Sequence, residues 1–346
     1  MKGKTTIYDI AKKLGITAAT VSRALNDNSR ISKATKKLVL ETAKEMNYEP
    51  NKLALALKKG KSNNVGVIVP YINRNFFSSV IRGIEEELYP KGYNVIISQS
   101  HESEEREKEI VNNLMNAQVE GILMSLSKST NKTAHFNQVL SKNIPLIFFD
   151  RSLNIAGVSS VTIDDFQGSY KATQHLIGQG CKRVAHMTVG KELGIYRQRF
   201  DGYKQALEDN DLPFDDNLVV ELKSDIEEGK QAAQKLMNLQ DPPDAIFSST
   251  DHGALGAIKW LQGNGYSIPD DVCVVGFSNE PFTQFMELSI SSIDQSPLEM
   301  GKMSAKVFLE QIKDKKVKIE KKVVLSPKLI IRDSSSKHIV PNKKAN

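Results

Sequence analysis

The spacing of apolar positions changes once along the chain, near residue 64. Before it, apolar residues fall at three- and four-residue intervals. Ile7, Ile10, Ala11 and Leu14 make one helical stripe, and Gly15 ends it. Thr17 predicts the N-cap of a second helix with Val21, Ala24 and Leu25 facing inward. Asn26-Asp27-Asn28-Ser29 reads as a loop. Ser32 predicts the cap of a third helix whose buried stripe is Leu38, Val39, Thr42, Ala43 and Met46. Asn47-Tyr48-Glu49-Pro50 breaks that helix. The short segment NKLALALK follows, and then a polar linker to Asn64.

Past residue 64, continuous apolar runs alternate with helical stretches. VGVIVP (65–70), YNVIISQ (93–99), EGILMSL (120–126) and PLIFFD (145–150) predict strands, with helices over 78–88, 103–116 and 133–142 between them. The alternation then restarts. SSVTID (159–164), RVAHMT (183–188), LVVEL (218–222), DAIFSS (244–249) and VCVVGFS (272–278) predict strands, separated by helices over 165–178, 198–209, 226–239 and 251–263. A helix over 297–312 and two β-runs, KKVVL (321–325) and KLIIR (328–332), complete the pattern. Strands that alternate with helices at this spacing predict βαβ units and parallel sheets. The expected fold class is therefore α/β, with a small all-α module in front of two α/β domains of similar plan.

Charge sharpens this division. Residues 1–60 hold 13 Lys and Arg against 5 Asp and Glu, a net +8, while the rest of the chain carries a net −2. The whole-chain excess of +6 thus comes from the helical module. A basic module on a near-neutral body is the electrostatic footprint of a nucleic-acid binder. Other classes recede. The opening MKGKTTIYDI holds no apolar run of the signal-peptide kind, and no stretch reaches the ~18 apolar residues of a membrane span. A soluble cytoplasmic, nucleoid-associated protein with no membrane partner is expected. Cys181 and Cys273 are too few for a disulfide framework or a zinc site, and no metal or other cofactor is expected.

Two short helices joined through Gly15 fit a helix-turn-helix, whose second helix presents side chains to base edges in the major groove. Tyr8, Thr17, Ser22, Asn26, Ser32 and Thr35 are suitable donors to phosphates. Arg23 can lie bidentate on guanine.

TIYDIAKKLGITAATVSRALN followed by SRISKATKKLVLETAKEMNYEPNKLA closely resembles the DNA-binding headpiece of the lac repressor family, from Thr6 to about Leu57. The resemblance continues through the α/β body. It implies a bacterial transcriptional regulator, a repressor whose partners are a pseudo-palindromic double-stranded DNA operator, a small-molecule effector and a second copy of itself, as a homodimer or a tetramer. It also implies a body like a periplasmic sugar-binding protein, with two parallel-sheet subdomains around a cleft. The implied division is a helix-turn-helix domain over 1–50 and a hinge helix with linker over 51–64. One subdomain is then 65–161 with 293–323, the other is 162–292 with 324–333, and a polar tail covers 334–346. By position, Ala18 and Ala19 take two base-reading places, Arg23 a third, and Arg30 a further contact in the loop. Thr6 and Asn51 join the DNA-binding set. Neither alanine can hydrogen-bond a base, so only methyl contact, as to thymine, is open to them. NKLALALK resembles the family hinge helix. It is too short for a stable isolated helix, and Leu57 is implied as a minor-groove wedge with Ala54 beside it.

In parallel α/β sheets, ligands sit beyond the carboxyl ends of the strands. That rule singles out Tyr71, Asn73, Phe76 and Phe77 after the first strand, Asp150 after PLIFF, and Ser278-Asn279-Glu280 after VCVVGF. Carboxylates, amides and guanidinium on hydroxyls, with an aromatic face for C–H surface, make a polyol site. In the resembled family the arginine of RFDGY, the aspartate of STDHGALG and that of FFDR face the effector, which implies Arg199, Asp251 and Asp150 here. Asn279 completes the expected effector set. Asp251 also fits a plain helix cap, Arg151 a partner for a carboxylate, and His252 and Trp260 packing roles. Many relatives carry an acidic pair at this strand end, where this chain has Ser278-Asn279-Glu280; a sugar or sugar derivative is the expected effector, with a purine or other metabolite as the alternative.

An enzyme is not expected. There is no GxSxG or HExxH, and Gly60-Lys61-Ser62 lacks the upstream glycine of a P-loop, since Leu55 stands there. A sugar-binding protein without regulation would lack the basic module.

Overall fold

The computed structural model describes residues 5–49, 62–190, 194–223, 225–313 and 320–337. The chain divides into two compact units, 1–62 and 63–346.

In the first unit, three helices enclose a small core. They are α1 (Ile7–Leu14), α2 (Ala18–Leu25) and α3 (Lys33–Glu45). The amide and hydroxyl of Thr6 both donate to Asp9, at 2.8 and 2.7 Å, which fixes the start of α1. Gly15 ends it with φ +62°, a left-handed backbone that favours glycine. Thr17 and Ser32 cap the next two helices by accepting from the amides of Thr20 and Thr35. Ile10, Ala11, Val21, Ala24, Val39 and Ala43 form the core. One expected core residue stands outside it: Leu38 is half exposed, because the third helix buries the 39-42-43 face instead.

The second unit holds two six-stranded sheets. The first is built from β1 (Asn64–Val69), β2 (Asn94–Gln99), β3 (Ile122–Met124), β4 (Leu146–Phe149), β5 (Ser159–Ile163) and, from far along the chain, β11 (Lys322–Leu325). Its order is β11-β5-β4-β3-β1-β2, and every pairing is parallel. The second contains β6 (Val184–Thr188), β7 (Val219–Glu221), β8 (Ala245–Ser248), β9 (Cys273–Phe277), β10 (Ser291–Asp294) and β12 (Lys328–Ile330), in the order β12-β10-β9-β8-β6-β7. Only the β10–β12 pair is antiparallel. The central strands are buried on both faces, which is why they read as unbroken apolar runs.

Helices cover both sheets: α4 (Asn75–Leu88), α5 (Glu104–Asn116) and α6 (Ala134–Ser141) around the first, and α7 (Asp165–Gly178), α8 (Gly194–Glu208), α9 (Ile226–Met237) and α10 (Asp251–Gly263) around the second. The short α11 (Phe282–Phe285) precedes β10, and α12 (Pro297–Lys313) leads back to pack on α4. The chain therefore crosses between sheets after β5, after β10 and between β11 and β12. No described helix is long and apolar enough to cross a membrane.

One strand escapes the apolar pattern, and one expected boundary moves. The strand β10 was not marked by apolar periodicity. Its ISSID sequence buries Ser291 and Ser292 completely, and their hydroxyls are satisfied by the Arg332 backbone and by Asp251. The polar tail expected over 334–346 also does not begin at 334. Ser334 and Ser335 are buried, with Ser334 Oγ donating to the Val274 carbonyl and Ser335 Oγ bonded to Ser291 Oγ. Cys181 and Cys273 are free and buried, and Trp260 stacks on Tyr266 against the second core.

Candidate functional site

On the helical unit, α2 separates its residues cleanly. Val21 and Ala24 are buried, while Ala19, Ser22, Arg23 and Asn26 recur at three- and four-residue steps along the outer face. The two alanines that looked equivalent are not. Ala19 is exposed, whereas Ala18 packs against the small core. Arg23 and Arg30 are exposed, and neither joins an ion pair among the described residues. Lys36 and Lys13, by contrast, are held by Asp27 at 2.6 Å and Glu45 at 2.8 Å. Thr6, Thr17 and Ser32 are exposed and Thr35 half-buried, all at helix starts, where free amides favour anions. Tyr8 is 71% exposed. Asn26 folds its amide back on the Ser22 carbonyl at 2.7 Å. Asn51, Ala54 and Leu57 lie outside the described residues.

In the second unit, a cavity of about 140 Å³ lies where the carboxyl ends of both sheets converge. The first sheet contributes Tyr71, Arg74, Phe76 and Phe77 after β1, Glu102 after β2, Lys128 after β3, and Asp150-Arg151 after β4. The second contributes Tyr196 and Arg199 on α8, Thr250-Asp251-His252 after β8, Ser278 and Glu280 after β9, and Gln295 after β10. Left-handed backbone is uncommon outside glycine, yet His101, Glu102, Asp150, Ser278, Asn279 and Ser296 all adopt it just beyond a strand. Each such residue costs about 1–3 kcal/mol and persists only where its surroundings hold it, so the rim of the cleft is preorganised.

Arg199 is pinned from three sides. Its Nε donates to Asp165 at 2.7 Å, one Nη donates to the Ser249 carbonyl at 2.9 Å, and its guanidinium lies 3.6 Å from the Phe277 ring centre. Burial pushes the Asp165 carboxyl up to about 6 despite that partner. Asp251 is fully buried. Its two oxygens accept from Ser292 Oγ at 2.6 Å and the Glu280 amide at 2.7 Å. Gly276 makes room for it, since a Cβ there would stand 2.2 Å from Asp251 Oδ1. Burial raises Asp251 to about 7. The helix cap is Thr250 rather than Asp251. Asp150 accepts from Ser125 Oγ at 3.0 Å, and burial raises its carboxyl too. Arg151 donates to Glu102 at 2.8 Å and to the Leu126 carbonyl at 3.0 Å. Gln295 donates to Ser278 Oγ at 2.8 Å and leaves its buried Oε1 without a partner.

Of the residues expected around an effector, Tyr71, Phe76, Phe77, Asp150, Arg199 and Asp251 line this cavity, and two do not. Asn73 is exposed in the turn before α4. Asn279 is turned away, with Nδ2 donating to Asp294 at 3.2 Å and Oδ1 accepting from Arg332 at 2.7 Å. Arg332 lies 53 residues further on, so that pairing leaves no local trace. Sequence reasoning missed Arg74, Lys128, Tyr196 and Gln295 as cavity residues, whereas Glu280, singled out by its strand-end place, lines the cavity. Strand-end position would have found Lys128, and Gln295 follows the one strand that periodicity did not reveal.

Two family models match the chain. One, of the bacterial regulatory proteins of the lacI family, covers residues 6–51. The other, of the periplasmic binding proteins and sugar binding domain of the LacI family, covers 62–333. Catabolite control protein A of Priestia megaterium is 33% identical over 304 residues, spanning 88% of this chain and 91% of that protein. A LacI-family transcriptional regulator from Enterococcus faecium, solved with bound ribose, is 26% identical with a TM-score of 0.71, covering 79% of this chain and 98% of that one. The lac repressor dimer bound to operator and the anti-inducer ONPF has a TM-score of 0.83 at 23% identity, covering 96% and 99%. The last is a likeness of fold.

Proposed function

This chain belongs to the lacI family of bacterial regulatory proteins, a DNA-binding transcriptional regulator, and on that premise we propose that it is a repressor whose operator affinity is set by a sugar held in the cleft. The observation that carries the ligand class is the donor set of the cavity. Asp150 and Asp251 offer acceptors, Arg199 offers fixed donors, Gln295 can do both, and Phe76 and Phe77 supply apolar surface. A polyol alternates hydroxyls and C–H faces and asks for this mixture. A purine is flat and is best gripped between parallel rings. Here the adjacent cavity rings Phe76 and Phe77 meet edge to face at 79°.

In this reading a homodimer places two copies of α2 in successive major grooves of a pseudo-palindromic site. Arg23 and Ala19 face base edges. Thr6, Tyr8, Thr17, Ser22, Ser32 and Thr35 hold phosphates with backbone amides, and Arg30 adds a loop contact. A sugar bound by side chains from both sheets favours one relative position of the two subdomains, and that shifts the population competent for operator. The test is a thermal-shift comparison of the full chain with pentoses, hexoses and purine bases. Stabilisation by sugars alone is expected; stabilisation by purines alone overturns the ligand class.

A further inference from the structure

We infer that the ligand is an anionic carbohydrate, its oxyanion held at the start of α4 by Arg74, Lys128 and Arg151. This rests on the sugar-cleft reading above and sharpens it. Three cations from three separate strand ends line one wall of the same cavity. Arg151 is committed to Glu102 through one Nη, but it is only 8% exposed and its Nε is buried without a hydrogen-bond partner. The nearest carboxylate to that Nε, Asp150, stands at 3.8 Å, beyond hydrogen-bond range.

Lys128 and Arg74 join no ion pair among the described residues. Partial desolvation of its ammonium in the cavity wall, though the residue as a whole stays exposed, and the neighbouring guanidinium of Arg151 lower the Lys128 pKa; Glu102 offsets part of this, and Arg74 adds to the repulsion. Cations crowded in this way are relieved by a bound anion.

The start of α4 adds a second contribution. The helix has 14 residues, begins directly after Arg74, and no side chain caps it. Its first amides point out of the helix end, where the macrodipole favours negative charge. Phe76 and Phe77 in that first turn line the cavity. The acids facing the same space do not cancel this wall. Glu102 is engaged by Arg151 and by the Lys128 amide. Glu280, across the cleft, is only 9% exposed, and burial raises its carboxyl toward the neutral form. Asp150 and Asp251 are likewise raised by burial.

The chemistry shared by a sugar phosphate and a sugar acid is an oxyanion on a polyol, and the experiment separates them. Titrate the full chain calorimetrically with ribose and ribose 5-phosphate, glucose and glucose 6-phosphate, gluconate, and inorganic phosphate alone. For at least one pair, the charged member should bind about tenfold tighter or more at low salt. The Arg74→Gln/Lys128→Gln double variant should bring that ratio near one. Both side chains are exposed, so the variant tests binding rather than folding. Gluconate matching the sugar phosphates assigns a general oxyanion site, and gluconate failing assigns phosphate; both support the inference. Neutral sugars binding as tightly as their phosphates overturn it and leave the sugar reading standing. Phosphate alone binding as tightly as any sugar phosphate overturns it as well. If no carbohydrate of either kind binds, both readings fall.

Discussion

Arg199 holds Asp165 across 2.7 Å with both side chains almost wholly buried, at 3% and 4% exposure. The pair belongs to the fold as well as to the cleft. Arg199→Ala removes a ligand contact and also strands a carboxylate in the interior. Loss of one member of a buried pair costs about 3–5 kcal/mol. Urea denaturation of Arg199→Ala is expected to show that loss, alongside loss of ligand binding. In Arg199→Ala/Asp165→Asn, part of the stability should return while ligand binding does not. Equal stability of wild type and Arg199→Ala would contradict the structural half of this role.

Asp251 gives the body a pH dependence of defined sign. Its folded pKa of about 7 lies above the unfolded value of about 3.9. The folded form therefore binds this proton more tightly. The resulting stability is present in full below about pH 4 and is lost as pH rises through about 7. Asp165, raised to about 6, acts in the same direction and leaves a residual slope. Asp251→Asn is expected to cost less stability at about pH 8 than at about pH 5, measured by denaturation at both. A tenfold difference in proton affinity corresponds to about 1.4 kcal/mol. An identical cost at both pH values would contradict the assignment.

The two alanines of α2 make opposite predictions. Ala18→Gln forces a long polar side chain against the small core and should destabilise the helical unit by about 1–3 kcal/mol. Ala19→Gln should leave stability nearly unchanged and alter base preference, read by selection from a random-sequence DNA pool. The reverse pattern would show that α2 is rotated from the orientation described.

Arg23 is expected to read a base. Arg23→Ala should cost roughly 1–3 kcal/mol on the specific site and less on random DNA. Equal losses on both would mark it as a phosphate contact. Wild-type affinity should fall steeply with salt, as counterion release requires.

The helical unit was legible because its signals are local. Caps at Thr17 and Ser32, a left-handed Gly15 and an apolar stripe lie within a few residues of each other. The parallel strands were legible because burial on both faces demands continuous apolar runs. β10 was not, because its serines are buried through hydrogen bonds to residues 41 and more positions away. The same long-range bonding removed Asn279 from the cavity and drew Ser334 and Ser335 into the fold. The strand-end rule located the right loops, but not which side chain of each turns inward. In the turn before α4 it gave Asn73, whereas Arg74, one position on, lines the cavity. Asn51, Ala54 and Leu57 remain expectations from resemblance, outside the described residues.

The central claim is that the cleft controls the DNA-binding unit. Its most direct test is the operator affinity of the full chain, by fluorescence anisotropy, with and without a saturating cleft ligand. A coupling of about 1–3 kcal/mol, a change of roughly 5- to 150-fold in Kd, is expected. It should vanish in a variant whose cleft no longer binds the ligand. An unchanged Kd, with the ligand demonstrably bound in the cleft, would contradict the account.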